Sequence, residues 1–137
     1  MWPFDLLKPT LPVDVSCGDM TAHYDAQMWC WEFQWDGLDF TIRGIPFNQE
    51  AFGWAREIAP MIRTLGPEIL ARISEHLKEW SCDMSAAHVF CVELDAYGKE
   101  KTIEVFYVGD DSWPEIPVTV VIADGKIVDV DGGDDNA

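Results

Sequence analysis

The chain has 137 residues, of which 48% are apolar and 12% aromatic, with seven tryptophans. That is the length of one domain, 1–137, with enough material for a hydrophobic core unaided by disulfides or metal. Twenty-five acids against nine bases give a formal charge of −16 and a pI near 4.2, a surface that repels nucleic-acid phosphates and anionic membranes and attracts basic partners.

The N-terminal "MWPFDLLKPT" has no basic start and no long apolar run, so it does not read as a signal peptide. No stretch is apolar enough to span a bilayer. Cys17, Cys30, Cys82 and Cys91 show neither a C-x-x-C pair nor zinc-finger spacing. The expected setting is the cytoplasm, with the thiols as small buried hydrophobes.

In "LPVDVSCGDMTAHYDA" one or two short strands are expected, turning at Cys17-Gly18-Asp19. From Met28 to Trp35 the residues alternate, which puts Trp29, Trp31, Phe33 and Trp35 on a core face. Asp36-Gly37 suits a two-residue type I′ turn, because both residues tolerate positive φ. That turn sets a register of Trp35 with Leu38, Phe33 with Phe40, Trp31 with Ile42, Gln34 with Asp39 and Glu32 with Thr41.

After Pro46 the period becomes helical over about 48–80, with Asn48 as N-cap. Phe52, Ala55, Ile58 or Ala59, Ile62 and Leu65 form one apolar stripe, and Ile69, Leu70, Ile73, Leu77 and Trp80 a second. Pro60 is expected to kink or split the helix, and Gly66-Pro67 to end it and open another.

Alternation returns at Ala87, with Phe90, Val92 and Leu94 sharing a face with His88. A four-residue loop at 96–99 would pair Val92 with Ile103, Phe90 with Val105 and His88 with Tyr107. The last hairpin turns at Asp124-Gly125 and pairs Ile122 with Ile127 and Val121 with Val128. Its apolar character near the turn suits a central position in the sheet or burial against another chain. Strands, then helix, then strands predict α+β: a mainly antiparallel sheet of hairpins with a kinked or broken helical segment on one face.

Catalytic signatures are missing: no phosphate loop, dinucleotide fingerprint, H-E-x-x-H or G-x-S-x-G occurs. Cys82, Asp83 and His88 could be drawn as a thiol and its base, but an acid beside the thiol opposes its ionisation. Asp129, Asp131, Asp134 and Asp135 do not match a calcium loop, since Gly133 takes the fifth position and the sequence stops before the twelfth. No catalytic residue, metal or cofactor is assigned.

The segment "GDDSWPEIP" joins two predicted strands and places Trp113 among Asp110, Asp111 and Glu115. Either the indole folds back over the core, or it stands out as an anchor with an acidic rim. The second reading makes Asp110, Asp111, Trp113 and Glu115 the partner-binding residues, with Trp54 as another exposed aromatic. Residues 93–137 hold twelve acids against Lys99, Lys101 and Lys126, a local charge of −9.

In layout and charge, from "MWCWEFQWDG" to "VVIADGKIVDV", the chain resembles small acidic bacterial immunity proteins. The resemblance implies a non-enzymatic inhibitor that occludes a basic partner protein, such as a toxin, with no nucleic-acid or membrane partner. A homodimer through the last hairpin is a further possibility. The competing reading is a small-ligand or enzymatic domain with a pocket between sheet and helix, lined by tryptophans and by polar groups such as His88, Tyr107 and Glu104.

Overall fold

The computed structural model describes residues 14–44 and 46–133. Eight strands lie side by side in sequence order. They are β1 (Val15–Cys17), β2 (Met20–Asp25), β3 (Cys30–Trp35), β4 (Leu38–Arg43), β5 (His88–Glu93), β6 (Thr102–Val108), β7 (Val118–Ala123) and β8 (Lys126–Gly132). Neighbours are antiparallel, apart from the parallel pair β4–β5, where Phe40 meets Val92 and Thr41 meets Glu93. Parallel neighbours need a long crossover, and helix α1 (Glu50–His76) lies within it. The fold is α+β and sheet-dominated, with one main helix packed on the sheet.

The β3–β4 hairpin has the expected register at all five predicted pairs. Asp36 and Gly37 have φ of 55° and 79°, as a type I′ turn requires. One face of β3 and β4 meets the start of α1 through an aromatic cluster: Phe33 stacks on Phe40 at 5.5 Å and meets Phe52 edge-on at 5.1 Å. Trp31 is buried and donates its indole N–H to the Gly44 carbonyl at 2.8 Å, which satisfies the one polar group of that ring.

Helix α1 runs unbroken through Pro60, Gly66 and Pro67, so the expected end at Gly66-Pro67 does not occur. Both prolines lie on the exposed side, as do Arg56 and Arg63, whose carbonyls lose their i+4 donors. The buried stripe also stays in phase across the prolines, from Ile58 and Ile62 to Ile69 and Ile73, so packing on the sheet offsets the lost bonds. Leu70 and Trp80, placed in that stripe by the sequence, are instead exposed. The N-cap is Gln49, one residue after the expected Asn48, and makes no side-chain cap bond; the Asn48 side chain, just ahead of the helix, instead accepts from the Glu50 amide at 3.0 Å.

Three further expectations are corrected, and each correction traces to local backbone geometry. Trp29 does not join the core: the Asp25 carboxylate accepts from the amides of Gln27 and Met28. The turn this makes ends with Trp29 at φ 55°, and strand alternation begins one residue later. Phe90 leaves the core face because β5 is irregular there: Val89 faces Tyr107, the next pair is Cys91 with Phe106, and Phe90 is the extra residue between them. After this bulge Val92 faces Val105, not Ile103, and before it His88 faces Val108, not Tyr107. The predicted four-residue loop is longer and contains the short helix α2 (Tyr97–Glu100), formed where Tyr97 buries itself against Trp54 at a ring distance of 5.8 Å.

In the last hairpin Ile122 faces Ile127 as expected. A second bulge then sets Asp129, rather than Val128, opposite Val121. Strand β8 is an edge of the sheet, not a central strand.

Candidate functional site

Residues on strands point alternately to the two faces of a sheet. The inner face under α1 is closed by Met20, Ala22, Phe40, Ile42, Val92, Leu94, Ile103, Val105, Val120 and Ile122, all below 5% exposed. A pocket between sheet and helix would have needed His88, Tyr107 and Glu104 to converge. Instead Tyr107 is buried on the core side, Glu104 alternates to the other face and His88 is exposed at the start of β5.

The "GDDSWPEIP" loop brings its four singled-out residues together around a shallow depression of about 300 Å³. Asp110, Asp111 and Glu115 are exposed, but the Trp113 ring is only 6% exposed. Its Nε1–H donates to the Asp83 carbonyl at 2.8 Å, and the Ser112 hydroxyl accepts from the Asp83 amide at 2.8 Å. Asp110 accepts from the Ser112 amide and hydroxyl, which holds its carboxyl below the ordinary range. A Cβ on Gly109 would fall 2.2 Å from the Trp113 ring, so only glycine fits beneath it. Loop and ring tie the β6–β7 connection to the segment before β5. Trp54, the other aromatic singled out, is half-buried on Tyr97.

The Cys82 thiol is pushed up by burial and then by Asp110, the wrong direction for a nucleophile. His88 Nδ1 is engaged with the Ala86 carbonyl at 3.0 Å, while Asp83 caps the short helical turn Met84–Ala86. Asp129 and Asp131 are exposed on β8, and Asp134 and Asp135 lie outside the described residues. Among the described residues no cluster of three metal-ligating side chains forms, and no helix is long and apolar enough to cross a membrane.

The outer face of the sheet carries a different feature. Two adjoining depressions, of about 480 and 440 Å³, share Glu32 and Asp39. The first reaches Asp19 and His23, and the second reaches Arg43, Cys91, Glu93, Met28 and Phe90. Alternation explains the set: Cys30, Glu32 and Gln34 project from β3, Asp39, Thr41 and Arg43 from β4, and Cys91 and Glu93 from β5. Gln34 donates to Asp39 at 2.7 Å, and Arg43 stands 3.9 Å from Glu93.

The carboxyls here are crowded. Burial raises Glu93, and a hydrogen bond that its protonated form donates to the cross-strand neighbour Glu104 raises it further. Burial also raises Glu32, followed by the charge of Asp25 and a hydrogen bond with it. Burial and Glu93 push the Cys91 thiol up to about 11.

Folding therefore penalises the charged form of Glu93. Its folded pKa lies above the ordinary 4.5, so it favours folding below that ordinary value, and this contribution is lost as pH rises through the folded value. Glu93→Gln should stabilise the protein at neutral pH and flatten the rise in stability on acidification towards 4.5. Urea melts at several pH values measure this, and equal pH slopes for the two proteins would refute it.

Two large exposed apolar side chains line the second depression, Met28 at 67% and Phe90 at 58%, and Trp29, between Met28 and Cys30 in the chain, is 74% exposed. Trp29 sits in the left-handed region, costly for a bulky residue. Its exposure and Phe90's arise from a turn and a bulge, both invisible to a reading by alternation. The sequence signals that could have found them are Asp25 at the head of "DAQMW", able to make an Asx turn, and the break in the pattern at "VFCV".

No family model matches the chain, and neither a curated protein nor a solved structure does.

Proposed function

We propose that this protein acts by binding, as an acidic inhibitor of the immunity type that covers a basic region of a partner protein, and that it docks through the outer face of the sheet. The observation carrying this reading is the coincidence there of Met28 and Phe90, widely exposed, with Glu32, Asp39 and Glu93, and the exposed Trp29 adjoining Met28 in the chain. Apolar side chains at the centre of an interface supply contact area, and charge around them steers encounter and selects the partner. This pairing was expected at Trp113, whose ring is buried; Trp29 is 74% exposed. Asp110, Asp111 and Glu115 add to the long-range field in this reading and are not the anchor.

The test is capture from the native source with paired baits. A Trp29→Ala/Phe90→Ala bait should lose a basic protein that wild type and an Asp110→Asn/Asp111→Asn/Glu115→Gln bait retain. A partner held equally by the first bait would overturn the outer face as the docking surface.

A further inference from the structure

We propose, resting on the docking surface above, that the 440 Å³ depression is a receptor for one arginine side chain of the partner protein, with its guanidinium among Glu32, Asp39 and Glu93 and its methylene stem against Met28 and Phe90. The volume lies in the range of sites for small groups. The walls divide by chemistry: Met28, Phe90 and Cys30 offer apolar surface, and three carboxylates stand within the same depression. Arginine matches this division better than lysine. Its guanidinium is planar and weakly hydrated, stacks on aromatic faces and bonds carboxylates in a fork, whereas an ammonium keeps its water.

The molecule already holds a guanidinium at this rim. Arg43 lines the depression 3.9 Å from Glu93, with its side chain 68% exposed. One resident cation faces three acids, which leaves a charge deficit for an incoming one. The occupant is a protein side chain and not a free amino acid because Trp29, 74% exposed, needs a surface to cover it. A second copy of this chain is disfavoured by its charge of −16.

The test titrates the full chain with N-acetyl-arginine amide at low salt, followed by amide NMR, with N-acetyl-norleucine amide as the apolar control. The arginine probe should shift Cys30, Glu32, Thr41, Cys91 and Glu93, and saturate at roughly millimolar concentration. Asp39→Asn/Glu93→Gln should weaken it about tenfold, and Arg43→Ala, which removes the competing cation, should tighten it about threefold. A loss of binding in Arg43→Ala, or equal shifts with both probes, would overturn the proposal. If the captured partner needs Trp29 and Phe90 while the arginine probe is silent, the receptor is wrong and the docking surface stands. If the probe binds but the partner ignores this face, or the face proves to pair two copies in sedimentation, the assigned occupant is wrong and the functional reading falls with it.

Discussion

Trp113→Ala is expected to destabilise the fold by about 3–5 kcal/mol, the cost of removing a large buried aromatic, with the midpoint of chemical denaturation as the readout. The ring is 6% exposed, lies directly over Gly109 and donates to the Asp83 carbonyl. Its loss opens a cavity and removes one of that carbonyl's two donors, leaving the Ala86 amide at 3.1 Å. Trp113→Phe separates the two contributions, since it keeps most of the ring and should cost about 1–3 kcal/mol through the lost hydrogen bond and imperfect packing. The neighbouring change Asp111→Asn, on an exposed side chain, should stay within about 0.5 kcal/mol. A Trp113→Ala protein as stable as wild type would mean that the ring is not part of the core, and would restore it as a candidate surface anchor.

Glu32→Gln/Asp39→Asn/Glu93→Gln should slow association with the captured basic partner by about tenfold at low salt, with the difference shrinking as salt screens the field. The control removes the same formal charge from exposed positions on and after helix α1: Glu68→Gln/Glu75→Gln/Glu79→Gln. If only net charge matters, both triples slow association alike. If the outer face docks, the first slows it far more and also speeds dissociation, because its carboxylates lie in the contact. Surface plasmon resonance across a salt series distinguishes the two, and identical rate constants for the triples would count against the outer face. The first triple should fold well, because Glu32 and Glu93 are raised by burial and their neutral replacements relieve that penalty.

The residues that could be placed from sequence are those whose position follows from short-range chemistry. Asp36-Gly37 determines the β3–β4 register because only a tight turn with two positive φ values closes two strands of that length. Asp124-Gly125 does the same for Ile122 and Ile127. The period change after Pro46 locates the start of the helix to within a residue or two of Glu50, and the order of segments determines the α+β class. The charge is also a property of sequence alone.

What only the tertiary structure decided are features that depend on partners far along the chain. An unbroken α1 depends on its seat on the sheet, which outweighs two prolines on its exposed side. Phe90 is turned out by a single extra residue in β5, and a shift of one residue moves side chains to the other face. Trp29 leaves the strand through a turn tied by Asp25, and Trp113 turns inward because the Asp83 carbonyl, thirty positions away, accepts its indole N–H. Trp29, assigned to the core by alternation, is thus exposed, and of the two alternatives for Trp113 the enclosed one holds. Local patterns carry the alternation of side chains, whereas bulges, left-handed residues and long-range hydrogen bonds decide which face each one reaches.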